Sequence, residues 1–576
     1  MSLPAEFIVV VFGILLALVA PLSLKQTRHA AGRCFRRIGR SDALTLLVAF
    51  LLPLVILPAL TLRSGIPHPY VHDEFVYLLM GETFSRGEMT NPTPEHAEHF
   101  RSPHLILEPT YQGKYPVAQG LFIAVGKLLT GYSIAGVWFS FALASAAVCW
   151  LLQAWTPNRW ALLGATLFSM HPMISIAWGE TYWGGAIAAM GGALVFGSIA
   201  RLERRLSWKY AVALGTGLIA LANSRPYEGL VASVPAAIWF VWICWSWVRR
   251  GSMRDAATVA LTSTVVLVAG MSLLAMYNRA VTGSALKLPY QVWLEQTLDT
   301  SAIGTLLVDE NASSLKVVGA RTGPTDTEVL ALPNWQFKML RHYFFFLRVA
   351  LAVPLLAVPW ILRKRRVALC VAAYLLVFCC VIVNRHSGWP HYYAPATPLL
   401  IALVVHGVRQ MSASGRRLRC LATVCTFAVI SGGVLAQWEW SGSPYEASKL
   451  WVYARAEIEQ FLGSKEDRQL VLVRYGSNHD IGDEWVWNTG KPESQHVIWA
   501  HSLSDDADSA LLQACPDRTA WVLDVGKTNC RLRRVTPELR TSNEEIVFAF
   551  RQDTVAQQRR IAGESARRHL TATGTP

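Results

Sequence analysis

Apolar runs about as long as a bilayer is thick recur along this chain of 576 residues. A helix needs roughly 20 mainly apolar residues to cross the hydrocarbon core of a membrane. Only 16% of the residues are charged, whereas soluble domains carry roughly a quarter. The sequence therefore predicts a polytopic α-helical membrane protein. We expect about twelve spans, at residues 6–24, 43–62, 132–153, 160–178, 184–200, 210–222, 229–248, 256–277, 343–361, 367–384, 394–410 and 420–437.

Basic residues lie mostly in short segments between these runs, so the net charge of +14 reflects membrane topology. Lys and Arg are enriched in the cytoplasmic loops of membrane proteins. An even number of predicted spans separates each basic cluster from the next, which places all of them on one side of the membrane. We therefore expect a lipid bilayer, and no nucleic acid, as the partner of these charges. The clusters lie at residues 25–40, 201–209, 249–254, 363–366 and 416–419.

The opposite, external face carries a long loop at 63–131, several short loops and everything after the last span. Beyond that span, RQLVLVRYG, HVIWAHS and RTAWVLDV indicate strands, and SDDADSALLQAC indicates a helix capped by Ser504. Cys515 and Cys530 would be able to pair there if the region is outside the cytosol. We divide the chain into an extra N-terminal helix with a basic loop at 1–42, a membrane domain at 43–437, and a small C-terminal α/β extracytoplasmic domain with a flexible tail at 438–576.

The first external loop opens with a pair of acids, Asp73 and Glu74, in the string PHPYVHDEFVY. Ionisable groups at a membrane are costly to place and usually functional, and a carboxylate is able to act as a general base. Acids also suit the first turn of a helix because they complement its dipole. A capping role is therefore the alternative for this pair.

The order of these features resembles the membrane glycosyltransferases of the GT-C class. An apolar helix precedes HDEFVY, and KYP follows it before another apolar helix. The arrangement is most similar to the family-39-like set, which includes protein O-mannosyltransferases, lipid A aminoarabinose transferases and RgtA/B/C/D-like bacterial proteins. The likeness covers residues 43–410. NSRPYEGL and PHYYAP lie where such proteins have loops at the rim of the active site.

The resemblance implies transfer of a sugar, with inversion, from a polyprenyl-phosphate donor to a cell-envelope acceptor, which is a protein, a lipid or a polysaccharide. The reaction would take place on the outer face of a bacterial inner membrane. No cofactor is implied. A divalent metal is disfavoured because such enzymes generally need none, and the first loop here has no DxD motif.

The resemblance also implies a role for each acid. Asp73 would be the general base that takes the proton of the acceptor hydroxyl. Glu74 is either an alternative base or a partner that tunes Asp73 by like-charge repulsion. Glu180, in WGETYWGG, is either a second active-site acid or an interfacial residue within an aromatic belt.

A leaving phosphate needs cationic donors, and two residues are candidates. Arg225 is able to bind phosphate bidentately, although an interfacial arginine paired with Glu228 fits the same position. Lys114 of KYP is either a second phosphate ligand or an ordinary loop lysine. Other residues that we expect to line the substrate site are Tyr77, Tyr115, Tyr227, Glu228, His391 and Tyr392.

Two other functions stay open at this point. A transporter or flippase would also handle a lipid-linked sugar, but transporters place ionisable residues near the midplane of the membrane and often show internal repeats. The predicted spans here are nearly free of acids and show no repeat. A non-catalytic scaffold descended from such enzymes is the third reading, against which the intact Asp73 and Glu74 argue.

Overall fold

The computed structural model describes residues 25–299, 334–384, 389–439, 450–476, 479, 482–536 and 541–550. The predicted span at 6–24 and the predicted flexible tail after residue 550 lie outside the described residues.

Helices dominate the described chain up to residue 439. They run over Lys25–Ile38, Asp42–Ser64, His72–Ser85, Ala118–Thr130, Ser133–Gln153, Asn158–Ser169, Pro172–Gly179, Ala186–Leu202, Trp208–Ala222, Pro226–Arg249, Met253–Thr282, Pro289–Asp299, Asn334–His342, Arg348–Leu355, Arg365–Val383, Thr397–Ala413 and Arg416–Glu439. A 3₁₀ helix at Pro390–Ala396 precedes the penultimate one.

Six of the described helices are long and apolar enough to cross a membrane, and each coincides with a predicted span. They are Asp42–Leu62, Ser133–Gln153, Pro226–Arg249, Met253–Thr282, Arg365–Val383 and Arg416–Ala436. Shorter apolar helices occupy the predicted spans at 184–200 and 210–222. The chain is therefore a multi-pass helical membrane protein.

The predicted span at 160–178 is not a single straight helix. Two helices, Asn158–Ser169 and Pro172–Gly179, share this run and meet at 65°. The break falls at His171, whose backbone is extended and whose Nδ1 accepts the N–H of the second helix's first turn. Pro172 has no backbone N–H to continue the first helix, and it occupies the first position of the second helix, which a proline suits.

The predicted span at 343–361 is also divided. A π-helical segment at Tyr343–Leu347 leads into Arg348, whose φ of +42° lies in the left-handed region. A 3₁₀ turn at Pro359–Ile361 ends the run. A non-glycine residue in the left-handed region and a proline both interrupt an α-helix, so this apolar run does not form one straight helix.

Small residues bring the membrane helices together around the site described below. A Cβ at position 192 would lie 1.9 Å from the carbonyl oxygen of Pro395. Glycine at 192 therefore lets the helix Ala186–Leu202 contact the 3₁₀ helix Pro390–Ala396 directly.

The loop at 63–131, which the sequence predicts to be external, is folded rather than extended. It contains the helix His72–Ser85 and a short antiparallel hairpin of strands Leu105–Ile106 and Gln112–Gly113. The helix Ala118–Thr130 follows and packs along His72–Ser85. These elements fix the acid pair relative to the KYP segment.

Residues 450–550 build a five-stranded mixed sheet with one helix on each face. In spatial order its strands are Val497–His501, Arg468–Tyr475, Arg518–Val525, Asn529–Val535 and Thr541–Ala549, of which the first three are parallel. Alternate strand residues face the helices Leu450–Gly463 and Asp505–Ala514.

The predicted cap is confirmed, since Ser504 Oγ accepts the N–H of Ala507 at 3.3 Å. Cys515 and Cys530 are free thiols, so the bridge that the sequence left open does not form.

This C-terminal unit shares a hydrophobic core with the loop at 63–131. The ring of Trp487 stacks on Phe75, with centroids 4.8 Å apart and planes 8° apart. Arg455 donates to the carbonyl oxygens of Trp485 at 3.0 Å and Trp487 at 2.8 Å. The C-terminal unit therefore braces the helix that carries the acid pair.

We predict that Trp487→Ala lowers the free energy of unfolding by about 3–5 kcal/mol, as expected for a buried aromatic side chain. The midpoint of thermal unfolding in detergent should fall markedly, and Trp487→Phe should recover most of the loss because it can still stack on Phe75. Trp208→Ala is a matched control, since that ring is 58% exposed. An unchanged midpoint for Trp487→Ala would contradict the shared core.

Candidate active site

The structure separates the two acids of the first loop. Glu74, at the third position of its helix, is 1% exposed. Its Oε2 accepts the backbone N–H groups of Tyr70 at 2.7 Å and Val71 at 3.3 Å, and its Oε1 accepts that of Tyr182 at 2.9 Å. Glu74 therefore caps the helix and ties it to the WGETYWGG loop.

Burial raises the pKa of Glu74 to about 7, although its three backbone hydrogen bonds act in the opposite direction. A carboxylate that is buried and held by three backbone donors is a poor candidate for proton transfer to a substrate. The capping role that the sequence offered as an alternative describes Glu74, but it does not describe Asp73.

We predict that Glu74→Gln lowers the free energy of unfolding by about 1–3 kcal/mol, because an amide N–H₂ group would face buried backbone N–H donors. Its pH dependence should change as well. The pKa of Glu74 is raised in the folded protein from 4.5 to about 7, so this group's stabilising contribution is lost as the pH rises through that range. Unfolding measured from pH 5 to 8 should show a weaker slope in the variant. Asp73→Asn, in the same turn, is the control, and a variant with wild-type stability at every pH would exclude the cap.

The side chain of Asp73 points away from the backbone donors that bind Glu74, and two other side chains hold it. Its Oδ1 accepts the hydroxyl of Tyr115 at 2.7 Å, and its Oδ2 accepts Trp183 Nε1–H at 2.7 Å. The side chain remains 20% exposed. Because each carboxylate oxygen accepts more than one hydrogen bond, Asp73 is oriented but is still able to accept a proton.

His104 lies beside Asp73, with Nε2 3.6 Å from Oδ1. Its backbone is left-handed, with φ of +68°, and its ring packs edge-on against Tyr115 and Trp293. Burial lowers the pKa of His104 well below its ordinary value, and the nearby charge of Lys114 lowers it further. The lowered pKa favours the neutral imidazole, which forms no full ion pair with Asp73.

A small cavity opens next to Trp183, on the Oδ2 side of Asp73. Three of its walls are the starts of helices, namely Ala118–Thr130, Ala186–Leu202 and Pro226–Arg249. The N-terminal end of a helix carries a partial positive charge. Three such ends around one small space make it a favourable place for an anion. The residues that line the cavity are Tyr77, Pro116, Gln119, Trp183, Gly184, Gly185, Ile187, Ser224 and Arg225.

Two glycines allow the middle helix to begin at the cavity. Gly184 has φ of +85° and Gly185 has φ of +121°, which L side chains rarely adopt. A Cβ at position 185 would lie 2.4 Å from Trp178 Nε1. The WGG sequence is therefore required by this turn.

Arg225 brings a full positive charge to the cavity. It is the N-cap residue of Pro226–Arg249, and its guanidinium carbon lies 5.3 Å from the centroid of the Tyr392 ring. Burial acts to lower the pKa of Arg225, but the groups around it, chiefly Tyr77 and Tyr392, more than offset this and the pKa is raised. Glu228, buried one turn later, also interacts with this charge.

Several residues predicted from the sequence do meet here. Tyr115 bonds to Asp73 at 2.7 Å, and Tyr77 stacks on Tyr115 with ring centroids 5.0 Å apart. His391 packs edge-on against both Trp183 and Tyr392 at 4.6 Å.

Other predicted residues lie elsewhere. The ammonium of Lys114 sits 3.2 Å from the centroid of the Trp293 ring, and Lys114 is not among the described residues that line the cavity. Glu180 is buried and accepts the hydroxyl of Thr61 at 3.3 Å. Tyr227 is 54% exposed.

Three residues of the site, Gln119, His104 and Trp183, were not predicted from the sequence. Gln119 is a polar residue at the start of an apolar helix directly after KYP, a signal that was available. His104 has no distinguishing pattern around it. Among the described residues, no group of three His, Cys, Asp or Glu side chains is able to hold a metal ion.

No protein-family model and no curated protein matches this chain. Among solved structures, it is similar to ArnT from Cupriavidus metallidurans bound to undecaprenyl phosphate. The TM-score is 0.51 at 12% identity, over 88% of this chain and 98% of that one. The chain shares the fold of this ArnT structure.

The resemblance inferred from HDEFVY and KYP is thus confirmed at the level of the fold, with an aminoarabinose transferase, ArnT, as the similar structure. ArnT in the apo state gives a TM-score of 0.49 at 13% identity, over 84% of this chain and 93% of that one. The Archaeoglobus fulgidus oligosaccharyltransferase in the apo form gives 0.45 at 14% identity, over 82% of this chain and 69% of that one.

Proposed function

We propose that this protein is an integral-membrane glycosyltransferase that moves a sugar from a polyprenyl-phosphate donor to a hydroxyl group of a cell-envelope acceptor. The observation that carries the proposal is the oriented carboxylate of Asp73 beside a cavity formed by three helix starts and Arg225. The GT-C fold, and the undecaprenyl phosphate bound to ArnT, support the class of donor.

In this mechanism Asp73 acts as the general base. The acceptor hydroxyl attacks the anomeric carbon from the face opposite the phosphate, and its proton passes to a carboxylate oxygen of Asp73. A bond forms between the acceptor oxygen and the anomeric carbon as the bond from that carbon to the phosphate oxygen breaks. The electron pair leaves with the polyprenyl phosphate, so the anomeric configuration inverts.

Arg225 and the three helix starts would stabilise the charge that grows on the leaving phosphate. A guanidinium binds two phosphate oxygens at once, which fixes the orientation of the donor. Lys114 would be a second ligand if phosphate draws its ammonium away from the Trp293 ring. The prenyl tail would stay in the bilayer.

The proposal includes the topology expected from the sequence, with about twelve spans in a bacterial inner membrane. The first loop and the C-terminal unit would then lie outside the cytosol, where the acceptor is a protein, a lipid or a polysaccharide. No metal or other cofactor is part of the mechanism.

Proteoliposomes that contain the full-length protein and a labelled donor distinguish this function from transport. A glycosyltransferase releases free polyprenyl phosphate and labels the acceptor. A flippase changes the leaflet of the donor and leaves it intact. Translocation without release would overturn the proposed function.

A further inference from the structure

Gln119 lines the cavity, and its side chain carries a buried acceptor atom that lacks a partner among the described residues. The side chain is 4% exposed and lines the cavity together with Arg225. Its Nε2 donates to the carbonyl oxygen of Tyr182 at 3.0 Å, which fixes the orientation of the amide. Within the part of the chain that the structure describes, the buried Oε1 atom has no hydrogen-bond partner. Buried polar atoms are normally paired, so this oxygen indicates a missing donor from a ligand.

The chemistry of that ligand group follows from the atom of Gln119 that lacks a partner. A carbonyl oxygen accepts hydrogen bonds and repels an ionised phosphate oxygen, so its partner carries a proton. The phosphate belongs with Arg225, and the acceptor hydroxyl belongs with Asp73. The remaining proton donor close to the phosphate is a hydroxyl of the donor sugar itself.

We propose that Gln119 Oε1 accepts a hydrogen bond from the sugar hydroxyl on the ring carbon next to the one that bears the phosphate. Gln119 is then a specificity-determining residue, and the donor class is a sugar in which that hydroxyl is free. This inference rests on the proposed function, because it assumes a phosphate-linked sugar in the cavity.

The expected effect is on the rate as well as on binding. Hydrogen bonds to this hydroxyl strengthen in the transition state when a glycosidic bond breaks. A site built to bond a hydroxyl rejects the analogue that lacks it by about 10⁴–10⁵-fold in favourable cases. With one contact to the hydroxyl, we expect a discrimination of at least about 100-fold here.

The test uses the purified full-length protein in nanodiscs. A panel of polyprenyl-phosphate-linked sugars first identifies a donor that is used, and kcat/KM is then compared for that donor and for its analogue without the adjacent hydroxyl. The wild type should prefer the hydroxyl-bearing donor by at least about 100-fold, and Gln119→Met should reduce the ratio below about 10. Methionine keeps the length of the side chain and removes the accepting oxygen.

Gln112→Met is the matched control. Gln112 is also fully buried in the first loop, but its amide is paired, with Nε2 donating to the Met89 carbonyl at 2.8 Å and Oε1 accepting Gly113 N–H at 2.9 Å. Its substitution should cost stability and leave the ratio between the two donors at the wild-type value.

Two results would overturn the assignment of Gln119. One is equal use of the two donors by the wild type. This comparison needs no variant, so it remains a valid test even if Gln119→Met does not fold. The other is a folded Gln119→Met protein with the wild-type ratio. Failure of the wild type to release polyprenyl phosphate from any donor is a different outcome, which removes the proposed function and this inference with it.

Discussion

Asp73→Asn is expected to lower the rate of sugar transfer by about 100–10,000-fold, the usual contribution of a general base. Asparagine has nearly the shape of aspartate, so it should stay near Tyr115 and Trp183, but its amide does not take the proton of an acceptor hydroxyl. Donor binding should be retained because the variant keeps Arg225 and the three helix starts. The loss should therefore appear in kcat.

The measurement is release of polyprenyl phosphate at saturating donor, together with the midpoint of thermal unfolding. Glu82→Gln is the control, since Glu82 is on the same helix but pairs with Arg86 and Lys127. Wild-type turnover by Asp73→Asn would remove Asp73 from the mechanism. Equal losses in both variants would point to a general effect on the helix.

Arg225→Ala is expected to lower kcat/KM for the donor by about 10–100-fold, the range for lost hydrogen bonds to a charged group. The cavity would keep its three helix starts, so some affinity for phosphate should remain. Arg225→Lys should recover part of the loss, because an ammonium supplies the charge without the bidentate geometry.

Titrations of donor and acceptor separate this effect from a general defect. The dependence on donor concentration should shift, and the dependence on acceptor concentration should change little. Arg279→Ala is a matched control at an exposed arginine near the end of another helix. An unchanged donor dependence in Arg225→Ala would exclude Arg225 from phosphate binding.

The acid pair shows what the sequence was able to predict and where it stopped. HDEFVY located the pair at the start of a helix, but base and cap were alternatives for both residues. Consecutive side chains on a helix point about 100° apart, so one acid is able to face backbone donors while its neighbour faces a cavity. Glu74 contacts Tyr182 and Asp73 contacts Trp183, and in each pair the two residues are more than 100 positions apart in sequence. These long-range contacts decide which acid caps the helix and which one is free to act as a base.

The cavity, like the roles of the two acids, depends on contacts between residues that are far apart in sequence. Its walls join the starts of three helices that the chain reaches at residues 118, 186 and 226. A hydropathy pattern finds such helices but does not say that their ends converge. KYP left Lys114 open as either a phosphate ligand or an ordinary loop lysine, and the Trp293 ring that contacts its ammonium comes from a helix far along the chain.

The membrane spans were more predictable because hydrophobic length alone determines them. The exceptions at His171 and Arg348 arise from local backbone geometry. Pro172 marks the first break in the sequence itself. No residue type in YFFFLR marks the second, since arginine rarely adopts a left-handed conformation.

The most direct test of the proposed function is release of free polyprenyl phosphate by the purified wild-type protein in nanodiscs. The substrates are a panel of polyprenyl-phosphate-linked sugars supplied with envelope acceptors, and Asp73→Asn is assayed in parallel. We expect release from at least one donor by the wild type, and binding without release by the variant. If donors bind to both proteins but neither protein releases polyprenyl phosphate, the result would contradict a glycosyltransferase and favour a flippase or a scaffold.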